Sequence, residues 1–340
     1  MHLIGDTVLC VGEANADLVM YTDGGHSGKQ AADTLLHTGS LKDDFRDQVF
    51  CSPGGTVCTT SSALVRLGIK TRFLGSVGND YFGRMAIGHL KDNGVDVTHA
   101  VIKDTPTLQV FCLIDDSGDR DFRLFPSRGS AAVQLTAQDI PEEIFDGVGL
   151  VYLTGVQLME DPMSHTVLTL IEQCEKRGIL VAFDCNLRLN NFGWNDKYQQ
   201  MFEWVLQKST VIFGSGKEEL MVLTGKSSPR AAAESLLCPG KVVIAKSGSQ
   251  GALAVTPEQG VTMGSFHVDV ADAVGAGDNF NAGFLYAFTR GETLSRCLVC
   301  GSAAAAFSLQ GSGASHGPTQ QQLETFLNRH KTEAEPERLY

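Results

Sequence analysis

Positive charge is scarce in this sequence: the 340 residues carry 27 Lys and Arg against 39 Asp and Glu, for a formal net charge of -12. Holding a nucleic-acid backbone needs clustered Lys and Arg, so nucleic acid is excluded as the main partner. Anionic small molecules are not excluded, because a site is a local matter. Also missing is an apolar run of about 20 residues, the length of a membrane-spanning helix, so no membrane partner is expected. Cysteine is present without a pattern: Cys10, Cys51, Cys58, Cys112, Cys174, Cys185, Cys238, Cys297 and Cys300 are scattered through apolar runs. An odd count with no secretion signal predicts reduced thiols in a cytosolic, cytoplasmic protein. Cys297 and Cys300 form a lone CxxC with no second pair to complete a zinc site, which points to core packing. The nine histidines show no ligand spacing. There is no internal repeat, and the chain enters a strand at Thr7-Val8-Leu9-Cys10-Val11-Gly12 rather than a targeting segment.

Two nucleotide-binding signatures are absent as well. Gly216-Lys217 is followed by Glu218, with Val211 where the leading glycine of a P-loop belongs, and Gly225-Lys226-Ser227 has Leu220 at that place. Gly311-Ser312-Gly313 lacks the third glycine of a dinucleotide fingerprint, since His316 occupies it. Neither a Walker-type NTPase nor an NAD enzyme is supported.

Against these absences stands the stretch Asp272-Ala273-Val274-Gly275-Ala276-Gly277-Asp278-Asn279-Phe280. Phe280, Phe284, Leu285 and Phe288 recur at near-helical spacing and predict a helix with one buried face. Gly275, Ala276 and Gly277 have little bulk, so their N–H groups can approach an anion as the first amides of a helix do. Asp278 falls in the first turn. An anion hole beside a fixed carboxylate suits a reaction in which charge builds on one group while a neighbour loses a proton. For this stretch alone, a glycine turn ahead of a core helix is the plainer alternative.

Elsewhere strands and helices alternate, which predicts a mostly parallel sheet with crossover helices. The first strand runs into Gly12-Glu13-Ala14-Asn15-Ala16-Asp17, and Asn15 and Asp17 face one side if the strand continues. Pro53-Gly54-Gly55-Thr56 opens a helix that stops at Gly68, and a double glycine there lets a ligand touch backbone. A strand at 71–75 and a helix from Tyr81 to about Asn93 follow. Residues 22–48 read as an excursion or insertion. Residues 107–125 read as a hairpin turning at 116–119, outside the surrounding α/β rhythm. From Gly149 the alternation resumes with strands at 150–153, 179–184, 211–213 and 242–245, a helix over 163–177, and a last long helix over 294–309. The tail beyond Asn328 reads as charged and frayed.

Read together, these stretches resemble the ribokinase-like sugar kinases, the phosphofructokinase-B family, over roughly residues 7 to 325. Asp272 to Phe280 is similar to that family's C-terminal signature. Gly54-Gly55, the helix ending Leu64-Val65-Arg66-Leu67-Gly68 and the run Gly75 to Gly83 resemble its N-terminal signature region. The resemblance implies a three-layer α/β kinase domain over 1–330, a small β lid from about 14–50 and 100–128, and a charged tail at 331–340. It also implies transfer of the γ-phosphoryl of ATP to a primary hydroxyl of a monosaccharide. Asp278 would be the base, with Gly275, Ala276 and Gly277 as the anion hole. Asn15, Asp17, Gly54, Gly55 and Thr59 match sugar-facing positions. Arg188, Ser215, Lys246, Gly248, Gly251 and Cys300 match the ATP side, Lys246 to Gly251 being the nucleotide loop. Glu218 would organise Mg²⁺ through water, while carbonyls around Asp272, Val274, Ala306, Leu309 and Gly311, with Ser315, resemble a site for a monovalent cation such as K⁺. Ser215 stands where the family has Asn, Thr59 where it often has Asn, and Cys185 where Pro is common, so substrate identity is the least constrained property. Asn15 and Asp17 suit neutral hydroxyls, as in a fructokinase. Arg123 and Arg128 could instead receive a carboxylate, as in 2-keto-3-deoxygluconate, and a riboside or nucleoside is a third choice. A non-catalytic sugar or nucleotide sensor on the same scaffold is the rival from another class, and a homodimer through the lid is a possible assembly.

Overall fold

The computed structural model describes residues 3–21, 49–114, 120–188, 193–311, 313–333 and 335–340. The insertion read at 22–48 and the turn at 116–119 lie outside the described residues.

The large sheet follows from runs of β-branched and aromatic residues whose alternate side chains both find cover. Its strands are β1 (Thr7–Val11), β4 (Lys70–Leu74), β9 (Val148–Thr154), β10 (Leu180–Asp184), β11 (Val211–Ser215), β12 (Val242–Lys246), β13 (Ala252–Val255), β14 (Gly260–Met263) and β15 (Glu337–Arg338). They lie in the order β15-β14-β13-β12-β11-β10-β9-β1-β4. Pairing is parallel from β4 to β12 and antiparallel beyond it. Along β9, Leu150 and Tyr152 enter one core and Val151 and Leu153 the other; β12 splits Val242 and Ile244 from Val243 and Ala245 in the same way. A sheet buried on both faces needs such continuous apolar strands, which is why they read so plainly.

One face is covered by α1 (Thr56–Arg66), α2 (Tyr81–Asp92), α6 (Ala276–Phe288), α7 (Leu294–Ser308) and α8 (Gln320–Arg329). The other is covered by α3 (Met163–Arg177), α4 (Asp196–Lys208) and α5 (Pro229–Ser235). Local signals set the helix ends: Asp80 accepts the Gly83 N–H at the start of α2, and Gly178 in the left-handed region (φ 70°) closes α3.

A second sheet of four strands stands apart, with β2 (Asn15–Tyr21), β3 (Val49–Gly54), β7 (Gln109–Ile114) and β8 (Arg120–Phe125) in the order β3-β2-β7-β8. One of its faces packs Ala16, Leu18, Met20, Phe111 and Leu113 on Phe82 and Met85 of α2. A short pair, β5 (Ser76–Gly78) with β6 (Val101–Lys103), completes the described strands.

The tail corrects one expectation. Glu337 and Arg338 pair with Thr262 and Val261 at the sheet edge, and the Tyr340 hydroxyl donates to the Thr256 carbonyl at 3.2 Å. Charge density suggested fraying, but backbone pairing does not depend on side-chain polarity.

Candidate active site

The carboxyl ends of the parallel strands and the N-termini of α1 and α6 frame a cleft of about 870 Å³, the usual place for a ligand in an open α/β sheet. Its polar floor carries Glu13, Asn15, Asp17, Gly55, Thr59 and Asp278, and the four-stranded sheet adds an apolar wall of Val19, Val110, Cys112, Phe122 and Leu124.

Asn15 and Asp17 begin β2 opposite Gly54 and Ser52 of β3. The Asn15 amide donates to the Asp17 carboxylate at 2.7 Å. That pair explains the double glycine. A Cβ on Gly54 would lie 2.1 Å from the Asp17 carboxylate, and one on Gly55 (φ 100°) would lie 2.5 Å from Asn15 Oδ1. Burial is the main reason the Asp17 carboxyl is pushed up to about 6, against the Asn15 hydrogen bond and the Arg188 charge.

At α6, Gly275 takes a left-handed conformation (φ 78°) that turns the chain into the helix, and a Cβ there would strike the Ala314 backbone at 2.7 Å. Of the amides that follow, that of Ala276 makes only a long contact with the Ala273 carbonyl at 3.4 Å, in keeping with a helix start, whose first N–H groups have no partner within the helix. Asp278, in that first turn, opens on the cleft while most of its surroundings are protein. Burial chiefly pushes its carboxyl up to about 8; the Asp184 and Glu13 charges add to the rise, and Lys246 and Arg188 oppose it.

Behind Asp278 lies a buried polar network that sequence reasoning missed as a unit. The Lys246 ammonium sits 3.3 and 3.4 Å from the Asp184 carboxylate oxygens and donates to Asn281 Oδ1 at 3.1 Å. Asn281 Nδ2 donates to Asp184 at 2.8 Å and to the Tyr152 hydroxyl at 3.1 Å, and Thr60 donates to that hydroxyl at 3.4 Å. Glu13 also escaped notice. Its buried carboxylate accepts the Thr56 N–H at 3.0 Å, at the start of α1, and the Gln157 side-chain amide. The signal for Asn281 was its place three residues after Asp278 on one helix face. Tyr152 had no local signal, being 129 residues away from Asn281.

The expected ATP and metal residues divide. Arg188 and Glu218 line the same cleft as Asp278, and so do Asp272 and Val274. Ser215 does not line the cleft itself, but its hydroxyl is bound to the carboxylate of Glu218, which does. Glu219, not singled out before, ties the loop ends together by accepting Ser215 N–H at 2.6 Å and Leu187 N–H at 2.7 Å. Gly248 and Gly251 form the turn between β12 and β13, where a Cβ on Gly251 would meet the Met263 carbonyl at 2.0 Å. Cys300 is not brought to the cleft: it is fully buried in the core. Leu309 is not an open cation ligand, because its carbonyl already accepts Ala271 N–H at 2.7 Å and Asp272 N–H at 3.3 Å. The Asp272 carboxylate holds the Val274 and Gly313 amides at 3.0 Å, the Ala306 carbonyl takes the Gln310 side chain at 3.4 Å, and Ser315 meets His89 at 3.3 Å. Gly311 packs on the His316 ring. Arg123 and Arg128 do not line the cleft; Arg123 alternates with Phe122 and Leu124, which do, and so falls on the opposite face of β8.

A carboxylate open to a cleft beside helix-start amides, at the switch edge of a doubly covered sheet, is an arrangement that suits a group-transfer enzyme of the α/β class. A family model for pfkB family carbohydrate kinases matches residues 6–321, so the chain belongs to that family and is a carbohydrate kinase. Among curated relatives it is similar to the 5-dehydro-2-deoxygluconokinase of Geobacillus thermodenitrificans, 26% identical over 287 residues that span 82% of this chain and 85% of the relative. Among solved structures it is similar to fructokinase from Vibrio cholerae O395 in its fructose, ADP and calcium ion bound form, with 25% identity, a TM-score of 0.76 and coverage of 95% and 99% of the two chains. Fructokinase from Xylella fastidiosa with bound ATP matches the fold at a TM-score of 0.82, with 19% identity and coverage of 96% and 100%. Among the described residues, no helix is long and apolar enough to cross a membrane.

Proposed function

We propose that this carbohydrate kinase transfers the γ-phosphoryl group of ATP to a primary hydroxyl of a neutral monosaccharide. The observation that carries the reading is the Asp278 carboxyl, pushed up to about 8 beside the amides of Gly275, Ala276 and Gly277. A base poised near the working pH takes the acceptor's proton as attack begins. The helix-start amides and the exposed Arg188 then receive the charge that spreads over the transferring group. Asn15 and Asp17, pre-paired at 2.7 Å, hold sugar hydroxyls, and their charge balance favours a neutral ligand. Among the described cleft-lining residues Arg188 is the sole cation, against Glu13, Asp17, Glu160, Glu218, Asp272 and Asp278. The four-stranded sheet serves as a lid whose apolar face excludes water when the sugar is bound.

Among the described residues no three His, Cys, Asp or Glu side chains form a metal cage. One cleft carboxylate, Glu218, suits Mg²⁺, which keeps its waters and binds chiefly through substrate phosphates. Glu218 would help hold the cation, which would supply neutralisation of the phosphate charge. The Leu309 carbonyl, one of the groups expected around K⁺, is committed elsewhere.

An ADP-release assay over fructose, other hexoses, keto-deoxy sugar acids and ribosides tests the reading. The largest kcat/KM is expected with a neutral hexose. The names of the curated relatives favour a second reading, a keto-deoxy sugar acid. A hundredfold preference for that acid would overturn the neutral assignment while leaving Asp278 as base. Absence of turnover with every acceptor would favour a sensor. Pairing of two copies through the lid rests on the exposed Phe125 of its outer strand, on the face of β8 away from the cleft, and sedimentation velocity reads it.

A further inference from the structure

Lys246 resembles part of a nucleotide loop, yet its side chain leaves that loop and turns into the protein. The last residue of β12, it is four-fifths buried, with its ammonium between the Asp184 carboxylate and Asn281 Oδ1. The face of the Phe213 ring lies 5.9 Å away and closes another side. What makes the position matter is the neighbour above it. A Cβ built on Gly277 would lie 3.7 Å from Lys246 Nζ, and nothing else would come within 4 Å of it. The ammonium therefore sits directly against the turn of α6 that carries the anion-hole amides, one residue before Asp278.

We infer that Lys246 is a positioning residue for phosphoryl transfer: a fixed buried cation beneath Gly277 that counters the charge gathering at the helix start without touching ATP or sugar. The inference rests on the kinase reading of the cleft. Three features make the charge permanent rather than incidental. Asp184 is 4% exposed and compensates the ammonium. Asn281 bridges the two partners, donating to Asp184 at 2.8 Å and accepting from Lys246 at 3.1 Å. Tyr152 and Thr60 lock Asn281 from behind. A hydrogen-bonded buried pair of this kind costs desolvation, which only a good geometry repays, and it holds its charges where folding put them. Here they stand in a place where a flexible exposed lysine could not be held. Burial alone would lower the Lys246 pKa, but the Asp184, Glu219 and Asp278 charges outweigh it and raise the value, so the cation persists across the working range. Gly277 completes the device, because its missing side chain leaves no carbon packed against the ammonium.

The test pairs two opposite perturbations and reads Asp278 directly. The groups acting on Asp278 are Asp184, Lys246, Glu13 and Arg188, so removing one cation or one anion moves its titration in a known sense. Lys246→Met should raise the Asp278 pKa, and Asp184→Asn should lower it, each followed by ¹³C carboxyl NMR, which needs no turnover. In steady-state kinetics Lys246→Met should lower kcat by about 10- to 100-fold, less than loss of a direct oxyanion donor, with KM for ATP and sugar changed less than about threefold. The acid limb of its pH–rate profile should move with the NMR value. If Lys246 instead binds nucleotide, KM for ATP rises and neither titration moves. If it is only structural, the melting temperature falls and the limbs stay in place. Either result overturns the inference. Should Lys246→Met fail to fold, Asp184→Asn and the double variant, in which no buried charge is left unpaired, still report the coupling. A wild-type enzyme silent toward every sugar, with the NMR shifts intact, would fault the kinase reading and not the buried cation.

Discussion

Replacing Asp278 by Asn separates catalysis from stability, and the structure sets the size of both effects. Asn keeps the shape and removes the proton acceptor, so the general-base contribution of about 10²- to 10⁴-fold in kcat is lost. The pH dependence follows from the carboxyl pushed up to about 8. Near pH 7 about one tenth of the free enzyme holds the carboxylate, so wild-type kcat/KM should climb nearly tenfold per pH unit from 6 to 7 and level off above 8. The Asn variant should lack that limb. Stability runs the other way. The folded value lies above the unfolded 3.8, so the native state keeps a proton that the unfolded chain releases between about pH 4 and 8. The native state is therefore unpenalised below about pH 4 and loses stability as pH rises through 8. The full interval is worth an upper bound of roughly 6 kcal/mol; water reaching the carboxylate through the cleft brings the expected gain of the Asn variant to about 1–3 kcal/mol at pH 9, and less at pH 5. Urea unfolding at the two pH values reads it, alongside coupled ADP release. A variant within tenfold of wild-type kcat, or one no more stable at pH 9 than at pH 5, would refute the assignment of a desolvated base.

Two further outcomes follow from local geometry. Gly54→Ala puts a methyl group where the Asp17 carboxylate stands 2.1 Å away, so sugar KM should rise at least about tenfold with ATP KM unchanged, at an overpacking cost of about 1–3 kcal/mol. Sugar titration at fixed ATP checks it, and an unchanged KM would remove Asp17 from the sugar side. Glu219→Ala should strand the Ser215 and Leu187 amides at a cost of about 1–3 kcal/mol, readable by denaturant titration, whereas an unchanged midpoint would show that water replaces the carboxylate.

The elements were legible wherever one local rule governed them. Helix α3 ends at Arg177 because Gly178 can turn left-handed, and the strands at 150–153 and 242–245 announced themselves by apolar runs. Strands β13 and β14 were not read, since their antiparallel pairing with β12 is a choice of partner and not a property of four residues. β3 was not read, since Pro53-Gly54 marks the entrance of the next helix in the sequence, yet the backbone of both residues pairs with β2. Within the site, Asp278, Asn15 and Asp17 could be named from motifs, while Cys300 could not be placed: its spacing is the same whether the helix shows that face to ligand or to core.

Taken alone, then, the residue order determined the α/β alternation, the glycine-lined helix start and the carboxylate within it, because periodicity, missing side chains and capping act over a few neighbouring positions. Only the tertiary structure decided that Lys246 leaves its loop for Asp184, that Tyr152 braces Asn281, and that the Leu309 carbonyl is already taken. Those outcomes depend on which distant groups share a desolvated volume. A buried charge or donor must find a partner there, and the chain's path, not its spelling, sets what is within reach.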